Sequence, residues 1–148
     1  MNDENIDEQL LSLRILIVDD SQESLDLISN FLKSLGFGSF YTALDAVKAQ
    51  QMLVRNLANQ MEIDLVLVDW NMPKVTGFDF LKRIRANIDL KELPFIMVTA
   101  DSDPEHVKLA IEAGVNNYIV KPFTKEGLLD KIKQTMRGKI KKRRNKLY

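Results

Sequence analysis

Short apolar runs alternate with amphipathic stretches along the chain from Leu13 to about Met136. This alternation is typical of α/β domains. Five strands are predicted, at residues 14–18, 39–42, 64–68, 94–98 and 117–120. Three of these runs are nearly all apolar and contain β-branched residues, as in strands that helices cover on both faces. The pattern therefore predicts a parallel sheet.

The stretches between the strands carry apolar residues at three- and four-residue steps, the spacing of an amphipathic helix. Five helices are predicted, one ending near Leu35 and the others at 46–58, 78–84, 105–113 and 125 to about 136. Gly36 is a natural C-cap for the first helix, and Thr124 is placed to cap the last. Right-handed crossovers then give an open, doubly wound sheet. Its ligand site should lie beyond the carboxyl ends of the strands.

The composition is that of an ordinary globular domain. The chain has 148 residues, of which 45% are hydrophobic and 28% are charged. One domain is expected, and no apolar run approaches the roughly 20 residues needed to cross a bilayer. The first nine residues are acidic and carry no basic residue, unlike a secretory or transit peptide. We therefore expect a cytoplasmic protein without membrane insertion, and the absence of cysteine agrees with a reducing compartment.

The charges divide the chain into an acidic extension at 1–11, a body at 12–137 and a basic tail at 138–148. The segment from Arg137 to the end has seven basic and no acidic residues, although the net charge of the whole chain is zero. The body itself has no excess of basic residues, so specific nucleic-acid binding is not expected. The tail is interpreted either as a solvated extension of the last helix or as a contact for an acidic partner or anionic surface.

Polar residues follow four of the predicted strands: Asp19 and Asp20, Asp69, Thr99, and Lys121. All should meet at one edge of the sheet. Three carboxylates held together repel one another unless one binds a proton or a cation compensates them. Mg²⁺ suits such a group, because it prefers oxygen ligands and leaves positions for phosphate oxygens.

Lysine and threonine at the same edge extend this chemistry. The Lys121 ammonium can pair with a carboxylate or with a phosphoryl oxygen, and the Thr99 hydroxyl can take another oxygen. A carboxylate nucleophile beside a metal, a lysine and a hydroxyl indicates phosphoryl transfer, with an acyl phosphate as the product. Asp69 is the predicted acceptor.

Four segments in this order resemble a two-component response-regulator receiver domain over about residues 12–137: Val18-Asp19-Asp20, Val68-Asp69-Trp70-Asn71-Met72-Pro73, Thr99-Ala100 and Tyr118-Ile119-Val120-Lys121-Pro122-Phe123. The Asp-Trp-Asn-Met-Pro string further resembles the free-standing chemotaxis regulators of the CheY type. The resemblance implies a flavodoxin-like fold with strand order 2-1-3-4-5, the order known for CheY itself. The alternation of strands and helices alone does not give that order.

The resemblance also implies roles for single residues. Asp69 would take the phosphoryl group from a kinase phosphohistidine, while Asp20, Asp69 and the backbone carbonyl of Asn71 would ligate Mg²⁺. Asp19 would assist through water, and Thr99 and Lys121 would hold the phosphoryl oxygens. The peptide bond between Lys121 and Pro122 is expected to be cis.

Phosphorylation would draw Thr99 inward and free space for Tyr118, which would change the face formed by the fourth helix, fifth strand and fifth helix. The implied partners are a sensor histidine kinase, a downstream protein target such as the flagellar motor switch, and a phosphatase. The protein is expected to be a monomer. It would be a signalling domain that gains and loses its own phosphoryl group, not a metabolic enzyme.

Two positions depart from the common family pattern, Asp45-Ala46 and Val75-Thr76-Gly77. Neither is expected to contact metal or phosphate. Trp70 is interpreted as a partly exposed aromatic beside the site, and His106 as a surface residue. Asn71 and Asp101 flank the site and are candidates for tuning access of water to the phosphoryl group.

Two other functions are considered. The chain could be a phosphorelay carrier that passes its phosphoryl group to a histidine phosphotransfer protein, although the Trp70-Asn71 context favours a messenger. A flavin-binding protein of the same topology is disfavoured, because the site edge carries carboxylates in place of a Gly/Ser/Thr-rich phosphate loop.

Overall fold

The computed structural model describes residues 8–146, with side chains described as far as residue 139. After a helical turn at 8–11, the elements are β1 (Arg14–Val18), α1 (Gln22–Leu35), β2 (Ser39–Ala43), α2 (Ala46–Ala58), β3 (Leu65–Val68), α3 (Gly77–Ala86), β4 (Phe95–Thr99), α4 (Pro104–Glu112), β5 (Asn117–Val120) and α5 (Lys125–Lys146). The five predicted strands and helices are confirmed. None of the helices in residues 8–146 is long and apolar enough to cross a membrane.

Helix caps fix where the helices begin and end. Ser21, Asp45, Thr76 and Asp103 cap the N-termini of α1 to α4 with their side chains. Thr124 accepts a bond from the N–H of Gly127 at 2.9 Å, as predicted for the last helix. Gly36 ends α1 with φ of 104°, a left-handed conformation that favours glycine.

α5 differs from the prediction, because its backbone continues past Met136 to Lys146. Lys and Arg are good helix formers and suit the C-terminal end of the helix dipole, which accounts for the extension. The tail's side chains after residue 139, and the acidic residues before residue 8, lie outside the part described. The division of the chain at residues 12 and 137 stays a prediction.

All five strands are parallel, in the order β2-β1-β3-β4-β5. This confirms the expected order. Register places the strand ends side by side: Val18 lies opposite Val68, and Thr99 lies opposite Val120. The next residues, Asp19 and Asp69 on one pair and Lys121 on the other, therefore leave the sheet at one edge.

Alternate side chains of each strand point to opposite faces and form two cores. On one face, Leu16, Val66 and Phe95 pack with residues of α2, α3 and α4. On the other, Ile15, Leu65 and Ile96 pack with α1 and α5. Leu10, from the helical turn, is buried in this second core. Helices thus cover both faces and leave the edge with the polar residues open.

Arg85 of α3 joins the loops at the opposite end of the sheet from the site. Its guanidinium donates to the carbonyls of Leu93 at 2.7 Å, Lys91 at 3.1 Å and Gly114 at 3.0 Å, and to the Asn116 side chain at 3.0 Å. Burial lowers the pKa of Arg85 from its ordinary value. Its planar fork of donors holds two loops in one arrangement.

Candidate functional site

Three carboxylates meet beyond the ends of β1 and β3. Asp19, Asp20 and Asp69 each bring one oxygen into a group whose members lie within 4.8 Å of one another. Asp19 is 1% exposed and Asp69 is 9% exposed, whereas Asp20 is exposed. The N–H of Ser21, the α1 cap, donates to Asp19 Oδ1 at 2.9 Å and so fixes that carboxylate. The sequence predicted this convergence.

Lys121 supplies the opposite charge. Its Nζ lies 2.7 Å from Asp19 Oδ2 and 3.6 Å from Asp69 Oδ2, and it donates to Ser24 Oγ at 3.2 Å. The peptide bond between Lys121 and Pro122 is cis, as expected. Ser24, on the first turn of α1, was missed by sequence reasoning, because nothing in the local pattern distinguishes it from any solvent-facing helix serine.

The loop after β3 is held at both ends. Asp69 N–H donates to the carbonyl of Val18 at 3.0 Å, and Asn71 N–H donates to Asp69 Oδ1 at 3.4 Å. Gly77 N–H donates to the carbonyl of Trp70 at 2.8 Å. The role of the Asn71 carbonyl as a metal ligand stays a prediction.

Gly77 lies directly against the backbone of Asp69. A Cβ on Gly77 would stand 2.1 Å from the Asp69 carbonyl oxygen, a distance that no real contact permits. The sequence interpretation had separated this position from the site, since it contacts neither predicted metal nor phosphate. The start of α3 can therefore lie this close to the Asp69 backbone only because residue 77 is a glycine.

Thr99 and Tyr118 meet at the loop between β4 and α4. Thr99 is fully buried, and its carbonyl accepts the N–H of Lys121 at 2.8 Å. Thr99 Oγ1 accepts the N–H of Asp101 at 3.2 Å. The Tyr118 hydroxyl donates to the carbonyl of Asp101 at 2.6 Å. Both predicted switch residues thus bind the backbone of Asp101.

Trp70 is enclosed by other rings. It stacks on Phe78 with centroids 5.0 Å apart and on His106 with centroids 4.8 Å apart, at interplanar angles of 8° and 13°. Lys82 Nζ lies over the ring of Phe78, 4.5 Å from its centroid. Trp70 is only 7% exposed, so the interpretation of a partly exposed aromatic is wrong: Phe78 of the next helix and His106 of α4 cover it.

His106 lies at the surface, in agreement with the sequence interpretation, and its side chain is 40% exposed. It also has a specific partner, because its Nδ1 contacts Asp101 Oδ2 at 2.5 Å. That hydrogen bond is the largest cause of a raised pKa for His106. Burial lowers the pKa by less, and the negative charges of Asp101 and Asp103 raise it further. For Asp101, burial acts to raise the pKa, but the hydrogen bonds from His106 and the Asp103 N–H, with the charge of His106, lower it overall.

Tyr118 stays a hydrogen-bond donor across the physiological range. Burial, with the charges of Asp101, Asp69 and Asp103, raises the pKa of its hydroxyl to about 12. Tyr118 therefore remains neutral and able to donate to Asp101.

The donor set is suited to a hard divalent cation. It offers carboxylate oxygens and neither thiolate nor imidazole among its three members, which fits Mg²⁺ better than a softer metal. One carboxylate is exposed and the other two are buried, so an ion could bind while keeping water or phosphate oxygens as further ligands.

Comparison with protein families and with curated proteins gives concordant results. The family described as "Response regulator receiver domain" matches residues 15–133. The chain is 43% identical over 121 residues to chemotaxis protein CheY-3 of Vibrio cholerae, covering 82% of this chain and 89% of that protein. It is 42% identical over 122 residues to chemotaxis protein CheY of Pseudomonas aeruginosa, covering 82% and 94%.

Solved structures are similar over nearly their whole length. The Vibrio cholerae chemotaxis protein CheY4 superposes with a TM-score of 0.72 at 30% identity, covering 84% of this chain and 98% of that one. A putative response regulator from Chloroflexus aurantiacus superposes with a TM-score of 0.77 at 28% identity, covering 85% and 98%. Fold and sequence thus point to the same group of proteins.

Proposed function

The chain belongs to the family of response regulator receiver domains, and from that premise we propose that Asp69 accepts a phosphoryl group from a histidine kinase. The observation that carries the proposal is the convergence of Asp19, Asp20 and Asp69 with Lys121 at one sheet edge. Such a site combines a nucleophilic carboxylate with the positive charge that a phosphoryl group requires.

The transfer is a displacement at phosphorus. An Asp69 carboxylate oxygen attacks the phosphorus of the donor phosphohistidine, the P–N bond breaks, and the kinase imidazole leaves with the electron pair of that bond and takes a proton. The product is an acyl phosphate on Asp69. No general base is needed, because the carboxylate attacks in its ionised form.

Each neighbour has a part in that step. Asp19, Asp20, Asp69 and the Asn71 carbonyl would hold Mg²⁺, which when bound neutralises charge on the phosphoryl oxygens. Lys121, 3.6 Å from Asp69, moves from carboxylate to phosphoryl oxygen. Thr99 Oγ1 already accepts the Asp101 N–H, so its own proton remains available for a phosphoryl oxygen.

The phosphorylated domain acts on a protein target as a diffusible messenger. Leu109 and Ile111 on α4 and Val120 on β5 are 41%, 62% and 40% exposed, which gives the α4–β5–α5 face apolar area for a partner. The named relatives are chemotaxis proteins, which favours a motor-switch target in the cytoplasm and a phosphatase that ends the signal. A phosphorelay carrier would instead transfer its group to another histidine.

Fluorescence of Trp70 tests the proposal, since this is the only tryptophan and it adjoins Asp69. We expect beryllofluoride with Mg²⁺ to change the emission of the wild type and to leave Asp69→Asn unchanged. Two further assays separate the two roles. In a pull-down, a messenger gains a partner when the mimic is present. After labelling with radiolabelled acetyl phosphate, a relay passes its phosphoryl group to a histidine protein. No change in wild-type emission contradicts the proposal.

A further inference from the structure

His106 lies between two loops that both border Asp69. One face of its ring stacks on Trp70, the residue after the acceptor, with centroids 4.8 Å apart. Its Nδ1 bonds to the side chain of Asp101, in the loop after β4. The ring therefore connects the acceptor loop to the loop that follows Thr99.

Asp101 is where these contacts meet. Its N–H donates to Thr99 Oγ1 at 3.2 Å, and its carbonyl accepts the Tyr118 hydroxyl at 2.6 Å. Its carboxylate accepts the Asp103 N–H on Oδ1 at 3.0 Å and contacts His106 on Oδ2. Both carboxylate oxygens are thus engaged on the side of α4, while the backbone of the same residue orients the two predicted switch side chains.

The stack makes His106 a firm support for Asp101. Phe78 also stacks on Trp70, and Lys82 lies over Phe78, so the stacked rings join α3 to α4. Stacked aromatic pairs are stabilised beyond their buried area, which favours one ring orientation. A histidine at this point can hold a charge-assisted bond without losing its packing.

We propose that His106 is a positioning residue for phosphoryl transfer at Asp69: stacked on Trp70, it holds Asp101, whose backbone N–H keeps the Thr99 hydroxyl oriented to receive a phosphoryl oxygen. The inference rests on the proposed function and adds a residue to it. When the contact is lost, the Asp101 carboxylate is free to turn, the Thr99 hydroxyl loses its fixed orientation, and transfer slows.

The charge of His106 strengthens this support. The groups that face it are Asp101 from the loop and Asp103 at the α4 cap. Lys82 of α3 lies over Phe78, which stacks on Trp70, and Glu105 and Lys108 are exposed charged neighbours on α4. The carboxylates of Asp101 and Asp103 are negatively charged and therefore favour the protonated imidazolium form of His106. Support for Asp101 is therefore stronger below the pKa of His106 than above it.

Matched variants separate packing from the bond to Asp101. His106→Phe keeps an aromatic ring on Trp70 and loses the donor, whereas His106→Asn keeps a donor near the position of Nδ1 and loses the ring. Lys108→Gln, on an exposed position of the same helix, is the control. The measurement is the rate of labelling by radiolabelled acetyl phosphate with Mg²⁺ at a series of pH values from about pH 6 upward, because the pKa of His106 is raised from its ordinary value.

We expect His106→Phe to label about five- to tenfold more slowly than the wild type near pH 6, the effect of one lost charge-assisted bond. His106→Asn should label faster than His106→Phe but more slowly than the wild type, and Lys108→Gln should label at the wild-type rate. The ratio of the wild-type labelling rate to that of His106→Phe should fall as pH rises. Equal rates for wild type and His106→Phe, no recovery by Asn, or a ratio constant with pH overturns the inference while the proposed function stands. Absence of labelling in the wild type overturns both.

Discussion

The ammonium of Lys121 lies 2.7 Å from the carboxylate of Asp19, although 102 residues separate them in the chain. Asp19 follows β1 and Lys121 follows β5, so the pair joins the ends of two strands that are not neighbours in the sheet. The Asp19 side chain is 2% exposed, and a charge so well buried needs a partner. Lys121 is that partner, and a bound cation would compete for the same carboxylates.

Replacing Lys121 by Met should therefore destabilise the protein when no divalent ion is present. We expect a loss of about 2–4 kcal/mol in the free energy of unfolding, less than for a fully buried pair because Lys121 is 22% exposed. Addition of Mg²⁺ should restore much of it and should bind more tightly than to the wild type. Urea unfolding with and without Mg²⁺ checks this, with Lys48→Met on the exposed face of α2 as control. A loss that Mg²⁺ does not reduce contradicts the prediction.

Replacing Gly77 by Ala should damage both the fold and the site. The new Cβ would meet the Asp69 carbonyl oxygen at 2.1 Å, and backbone cannot move aside as a flexible side chain does. We expect about 1–3 kcal/mol of destabilisation and a shifted Asp69. Gly138→Ala, where nothing lies within 4 Å, should instead be neutral or stabilising by up to about 1 kcal/mol. Thermal unfolding and acetyl phosphate labelling measure the two effects, and a Gly77→Ala protein that labels normally contradicts the account.

Replacing Arg85 by Lys should destabilise the protein, although lysine keeps the positive charge. Arg85→Lys loses the planar fork that reaches four acceptors, and we expect about 1–3 kcal/mol of destabilisation from carbonyls left without a donor. Arg83→Lys, exposed on the same helix, should change stability by less than about 0.5 kcal/mol. Comparison of the two variants by urea unfolding distinguishes geometry from charge: equal effects argue against the role of the fork.

The pair of His106 and Asp101 should give stability that depends on pH. The pKa of His106 is raised from 6.5, so its contribution is complete below 6.5 and is lost as pH rises through the folded value. The pKa of Asp101 is lowered from 3.8, so its contribution is complete above 3.8 and is lost as pH falls through the folded value.

Together these shifts make the pair most stabilising between the two ordinary pKa values, 3.8 and 6.5. The stability difference between wild type and His106→Phe should be largest in that window and should shrink toward alkaline and strongly acidic pH. Urea unfolding at a series of pH values measures it. A difference that does not vary with pH shows that the pair adds no charge interaction to stability.

The sequence predicted those features of the structure that depend on neighbouring residues in the chain. Asp19, Asp69, Thr99 and Lys121 were predictable, since apolar runs mark the strands and parallel strands bring their carboxyl ends to one edge. The end of α5 was not, because a run of basic residues supports a solvated helix as well as a tail.

The surroundings of Trp70 show what a single sequence does not contain. Phe78 and His106 stack on it from two helices, and that arrangement depends on how α3 and α4 pack, which no periodicity encodes. Gly77 is a similar case, because its role is to let the start of α3 lie against the Asp69 backbone. The sequence predicted the helices and strands, but it did not predict these contacts of individual residues between them.

Chemical identification of the phosphorylated residue tests the central claim most directly. The protein is incubated with acetyl phosphate and Mg²⁺, the acyl phosphate is reduced with borohydride, and mass spectrometry locates the homoserine that results. The account predicts homoserine at position 69, none without Mg²⁺, and none in Asp69→Asn. Homoserine at position 19 or 20 in the wild type, or stable phosphate on a hydroxyl with position 69 unmodified, would contradict it.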